Sequence, residues 1–273
     1  MNNLTKRIVF GLIYILVIVS SLLLGSVYFY IVFFIFLIIC LYEFLKIIAL
    51  KSFYPYIFAA TSFSLAILSN ENKLSFENNL THKLIVAIFA FVLFFTLISA
   101  LISSRKIAIE YLGRIFLSLV YIIIPFSLLI KLPYFAIDNT FDSAIILGIF
   151  ILIWSNDIFA YLIGKKFGQH KLIERISPNK TIEGFLGGFI FTFIAGFVIS
   201  KYCLSIAPIQ WFAIAIIVSV FGVIGDLIES MFKRQAKVKD SSNFIPGHGG
   251  FLDRLDSIIF AAPIIYVYLF LTS

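Results

Sequence analysis

The chain has 273 residues, 62% of them hydrophobic and 13% charged, where soluble domains carry about a quarter charged residues. With a mean hydropathy of +1.08, a water-soluble globular domain is excluded and most of the chain belongs in a bilayer. The net charge of +7 comes without any basic run interleaved with aromatics outside the apolar stretches, so it speaks for orientation in a membrane and against nucleic-acid binding.

Lys6 and Arg7 stand before the first apolar run in the manner of a secretory leader. No A-x-A-like site follows and a second apolar run begins within a few residues, so a retained first span is expected. Apolar stretches of roughly 20 residues occur at 8–25, 28–49, 54–70, 83–103, 114–132, 143–165, 182–200, 206–229 and 254–272. They predict an all-α polytopic membrane protein of about nine transmembrane helices, 54–70 being the shortest. On that layout only Lys73, Lys83, Lys131 and Lys201 of the 21 Lys and Arg residues fall opposite the N-terminus. The bias makes the N-terminal side cytoplasmic.

The first five spans carry little polar matter except Glu43 and Lys46, three apart near a helix end and read as an ion pair. Cys40 and Cys203 sit in apolar surroundings without metal-ligand spacing and read as inert core residues. Residues 1–140 are thus expected to be mainly scaffold. Residues 141–273 carry the candidate chemistry, in a polar site facing the cytoplasm.

In the sixth span Asp157 follows Trp154-Ser-Asn. An aspartate at the centre of a span costs about 2.5–3.5 kcal/mol on insertion scales, so it needs a cation or a polar cavity. The next loop, Ser177-Pro-Asn-Lys-Thr-Ile-Glu-Gly184, leads into span seven. Lys180 there opposes the positive end of the helix dipole unless an anion offsets both. Span seven then repeats small residues every fourth position (Gly184, Gly188, Thr192, Gly196, Ser200), a strip suited to close helix packing. Span eight ends with Asp226 and Glu229, which places Asp226 in the last turn, where the dipole disfavours an anion.

The one long polar island runs from Ser230 to Asp256. It opens with Lys233, Arg234, Lys237 and Lys239, turns through Pro246-Gly-His248-Gly249-Gly250, and closes on Asp253 and Asp256. Basic residues, a glycine turn whose N–H groups can converge on an anion, and paired carboxylates suit a polyphosphate held with a divalent cation. A charged inter-helix loop with Asp253 as a helix cap is the plainer alternative. If Asp226, Asp253 and Asp256 converge, each close pair repels by about 3 kcal/mol at an effective dielectric of 20. A bound cation relieves this, and an oxygen-only ligand set points to magnesium, with room for a second cation.

The island resembles the signature of the phosphatidate cytidylyltransferase (CDP-diacylglycerol synthase) family. Ser230, Lys233-Arg234, Lys239-Asp240, Pro246-Gly-His248-Gly249-Gly250 and Asp253-Arg254-Leu-Asp256 are all in register. Upstream, Ser177-Pro-Asn-Lys-Thr-Ile-Glu-Gly is similar to a second family motif, with Asn179 at a usual lysine and Ile182 at a usual aromatic. The resemblance implies transfer of CMP from CTP to phosphatidate, giving CDP-diacylglycerol and pyrophosphate in phospholipid biosynthesis, by a multi-pass enzyme of the cell (inner) membrane. It implies catalytic roles for Asp226, Asp253, Asp256, Lys233 and His248, with magnesium on the three aspartates. Substrate contacts fall to Asp157, Ser177, Lys180, Arg234, Lys239, Asp240, Gly249, Gly250 and Arg254. The partners are CTP, phosphatidate and the bilayer, with a homodimer left open. A cation or phosphate transporter, or another membrane phosphotransferase, is the alternative reading.

Overall fold

A computed structural model describes residues 3–70, 108–138, 140–242 and 249–272; the expected span 83–103 and His248 lie outside the described residues. In lipid every backbone polar group must be satisfied internally, so apolar runs of this length become helices. The first is α1 (Asn3–Leu23). Gly25, with φ +110, turns the chain into α2 (Ser26–Ile47), which is followed by α3 (Tyr54–Asn70). Helix α4 (Ala108–Ser118) runs through a π-helical turn, Leu119–Ile123, into α5 (Ile124–Leu129). Helix α6 (Ser143–Phe167) starts where Asp142 accepts the Ala144 N–H at 2.8 Å.

A two-stranded antiparallel hairpin, β1 (Lys171–Ile173) and β2 (Ser177–Thr181), joins α6 to α7 (Ile182–Tyr202). Thr181 caps α7 by accepting the Gly184 N–H at 3.1 Å. Helix α8 (Pro208–Ile217) passes through a second π turn, Val218–Gly222, into α9 (Val223–Gln235). A 3₁₀ turn, Leu252–Arg254, precedes α10 (Asp256–Thr272).

Among the described residues, five helical stretches are long and apolar enough to cross a membrane: Ser26–Ile47, Ile109–Leu129, Ser143–Phe167, Ile182–Tyr202 and Pro208–Gln235. The apolar part of α1, Val9–Leu23, and α10 are shorter. The protein is therefore an all-α, multi-pass membrane protein. Two expectations change. The Glu43–Lys46 ion pair does not form, because Glu43 turns inward and is 1% exposed, while Lys46 lines a separate cavity beside Lys51 and Arg114. Helix α9 also runs on to Gln235 instead of ending at Glu229, so Asp226 is not in a last turn and feels no terminal dipole.

The strip on α7 works as its spacing predicts. Gly184, Gly188, Thr192, Gly196 and Ser200 are all buried, whereas Ile190, Phe193, Ile194 and Phe197 face outward. A Cβ at Gly188 would stand 2.7 Å from Asn156 Oδ1 on α6, and one at Gly196 would stand 3.0 Å from the Ala215 Cβ on α8. One helix thus fixes its two neighbours by backbone approach, the packing that membrane helices use when no hydrophobic drive exists between them. Gly196→Leu is expected to destabilise the fold by about 1–3 kcal/mol, seen as a lower unfolding midpoint in detergent, while folded protein retains its turnover. An unchanged midpoint would mean that α7 and α8 are free to separate.

Candidate active site

The site is built where α9 meets the start of α10. A Cβ at Gly225 would lie 2.6 Å from the Phe260 Cβ and 2.7 Å from the Asp256 carbonyl oxygen, so only glycine permits this approach. It sets Asp226 and Glu229, one turn apart on α9, against Asp256, and carboxylate oxygens of the three lie within 4.8 Å of one another. The π turn Val218–Gly222 just before them is a feature often found beside functional residues. Asp256 is the first residue of α10 and its Oδ1 accepts the Ser257 N–H at 2.7 Å. The helix dipole therefore favours its charge.

Two lysines partly offset the acids. Lys180 reaches from β2 to Asp226, Nζ to Oδ2 2.5 Å, so the charge that its position called for is a carboxylate of α9. Lys233, 9% exposed, bridges Glu229 at 2.9 Å and Asp253 at 2.5 Å. Asp253 also accepts the Gly250 N–H at 2.8 Å and the Ser241 N–H at 3.2 Å. Burial pushes its carboxyl up, yet the hydrogen bonds it accepts, including those from Lys233 and Gly250, hold it below the ordinary aspartate range.

Asp253 thus stands outside the close cluster, while Glu229 stands in it. Glu229 is 1% exposed and, among the described residues, its Oε1 has no hydrogen-bond partner. An all-oxygen group with one buried, unsatisfied carboxylate oxygen fits a hard divalent cation.

Two cavities meet at the cluster. The larger, about 580 Å³, is lined by Asp157, Ser177, Lys180 and Asp226 among others. The smaller, about 190 Å³, is lined by Tyr14, Trp154, Asp157, Asp253, Arg254 and Asp256. Asp157 faces both, which supplies the polar surroundings a span aspartate needs.

The cytidylyltransferase family model matches residues 5–272. The chain belongs to this family. It is 38% identical over 202 residues to the phosphatidate cytidylyltransferase of Bacillus subtilis, covering 72% of each chain. It is 47% identical over 125 residues to that of Staphylococcus saprophyticus, covering 45% of this chain and 48% of the relative. The Staphylococcus aureus enzyme gives 46% over 126 residues with the same coverage, so the chain spans about half the length of these staphylococcal relatives.

Within this cytidylyltransferase the remaining expected residues are spread around the centre. Gly249 and Gly250 pack beside Asp240 and Asp253. Arg234 donates from Nε to the Ile176 carbonyl at 3.3 Å, tying the end of α9 to the hairpin. Lys239 and Asp240 are exposed, with Asp240 beside Gly249 at the rim of the loop. Lys233→Ala leaves Glu229 and Asp253 buried without their cation, a loss of about 3–5 kcal/mol. It should lower the unfolding midpoint sharply, whereas Lys180→Ala, at the partly open edge, should leave the midpoint near wild type. Equal midpoints in the two variants would contradict the buried bridge.

Proposed function

We propose that the chain transfers CMP from CTP to phosphatidate, releasing pyrophosphate and leaving CDP-diacylglycerol in the membrane. The observation that carries this reading is a carboxylate cluster set between two cavities and flanked by Lys180 and Lys233, in a chain of the cytidylyltransferase family. A phosphate oxygen of phosphatidate attacks the α-phosphorus of CTP in line. The new P–O bond forms as the bond from the α-phosphorus to the β-bridging oxygen breaks, and the electron pair leaves with pyrophosphate. The nucleophile is already ionised, so no general base is required. Two anions must meet, so positioning and charge neutralisation supply most of the rate.

Lys180, at the mouth of the larger cavity, shares its charge between Asp226 and the lipid phosphate, with Ser177 alongside. Gly249 and Arg254, on the loop before α10, take the triphosphate, while Gly250, whose N–H is held by Asp253, shapes the loop beside them. Lys233 holds the side chains of Glu229 and Asp253 in place from beneath. Asp226, Glu229 and Asp256 would hold magnesium, which when bound supplies positive charge to phosphate oxygens. The basic bias of the loops and the use of CTP support a reaction at the cytoplasmic face of the cell (inner) membrane, where the acyl chains of phosphatidate can stay in the leaflet.

Purified protein in lipid-containing micelles is expected to release pyrophosphate from CTP only when phosphatidate is present, one per CDP-diacylglycerol formed. Asp226→Asn and Asp256→Asn should lower kcat by about 10²–10³-fold or more. Pyrophosphate release without phosphatidate, or wild-type turnover in both variants, would refute the proposal.

A further inference from the structure

Glu43 lies in α2, about 200 positions before the signature, yet its carboxylate is saturated by the signature loop. Oε2 accepts the Ser241 hydroxyl at 2.8 Å and the Leu252 N–H at 2.7 Å. Oε1 accepts the Ser242 hydroxyl and the Phe251 N–H, the latter at 3.0 Å. Each oxygen takes one hydroxyl and one amide, and the group is 1% exposed. A buried carboxylate is costly unless so paired, so these four donors and Glu43 fix one another.

The loop is also shaped around it. A Cβ at Gly250 would come within 2.8 Å of Glu43 Oε2 and would overlap the Ser241 hydroxyl. This accounts for the second glycine of the pair by close approach to an acid, where the sequence pointed to phosphate. Phe251 is held on the same side by Phe36 of α2, ring centroids 4.6 Å apart, and the Tyr14 hydroxyl of α1 donates to the Arg254 carbonyl at 3.3 Å.

From Glu43 the contacts lead directly to the site. The Ser241 N–H and hydroxyl and the Gly250 N–H all face Asp253 Oδ2, at 3.2, 3.3 and 2.8 Å, and Asp253 Oδ1 holds Lys233. We propose that Glu43 is a positioning residue for the cytidylyl-transfer site, gathering Ser241–Ser242 and Phe251–Leu252 onto one carboxylate so that Gly249 and Arg254 present themselves to the triphosphate. This rests on the reading of the reaction given above. An amide in its place would keep the shape but turn an NH₂ group toward one hydroxyl and one backbone N–H; the hydroxyl rotates to accept, while the N–H is left unsatisfied.

The test is Glu43→Gln in the full-length protein, read by amide hydrogen exchange and by kinetics per folded molecule. Exchange at Phe251 and Leu252 should rise at least tenfold while that of α7 and α8 stays at wild type. The KM for CTP should rise about tenfold, with the KM for phosphatidate unchanged, a split that simple loss of folded protein does not produce. If the variant does not fold, Ser241→Ala with Ser242→Ala removes the two hydroxyl donors and should give the same pattern at a few-fold size. Unchanged loop exchange, or faster loop exchange with a wild-type KM for CTP, overturns the proposal. If wild-type protein releases no pyrophosphate from CTP, it is the reaction that fails, and the exchange result still reads the loop anchor.

Discussion

The approach of Gly225 to the Asp256 backbone is the contact on which the site depends. It brings a helix that carries Asp226 and Glu229 against the first turn of one that begins with Asp256. Bare carboxylates about 5 Å apart repel by about 3 kcal/mol at an effective dielectric of 20, so the crossing is sustained only with compensation. Lys180 and Lys233 provide part of it through ion pairs with Asp226, Glu229 and Asp253, and the start of α10 provides more. One buried oxygen of Glu229 stays unsatisfied. A mostly apolar membrane protein therefore concentrates its scarce charge at one crossing, in a form that suits the cation and phosphates proposed above.

The rest of the C-terminal half holds that crossing in place. Small residues on α7 let it lie close to both α6 and α8, which positions Asp157 and the hairpin bearing Lys180 over the cluster. The hairpin is tied to α9 at two points, by Lys180 to Asp226 and by Arg234 to the Ile176 carbonyl. The N-terminal half takes part as well. Through Phe36, Glu43 and Tyr14 it grips the loop that leads into α10, so scaffold and chemistry do not divide cleanly at the middle of the chain.

Much of this was legible in the sequence because membrane helices need long apolar runs. The runs 143–165 and 182–200 became Ser143–Phe167 and Ile182–Tyr202, and the strip of small residues at every fourth position of α7 is buried as its period requires. Asp226 and Asp256 stood out as acids at span ends, and they do converge. Asp253, expected to converge with Asp226 and Asp256, stands outside their close group, because a 3₁₀ turn over Leu252–Arg254 separates it from α10 and directs it to Lys233. Glu229 was visible three residues from Asp226, but its role depends on α9 continuing past the apolar run to Gln235. The hairpin places Lys180 on a strand where the sequence suggested a helix start. Glu43 could not be read at all, since its partners are some 200 residues away and its nearest charge in sequence, Lys46, was the obvious but wrong partner.

The central claim, that Asp226, Glu229 and Asp256 form one cation site, is tested most directly by titrating purified protein with Mn²⁺ as a magnesium surrogate and following free ion by electron paramagnetic resonance. The account predicts a tight Mn²⁺ site that weakens at least tenfold in Glu229→Gln and in Asp256→Asn but not in Asp138→Asn, at an exposed position between α5 and α6. Wild-type Mn²⁺ affinity in both cluster variants would contradict it.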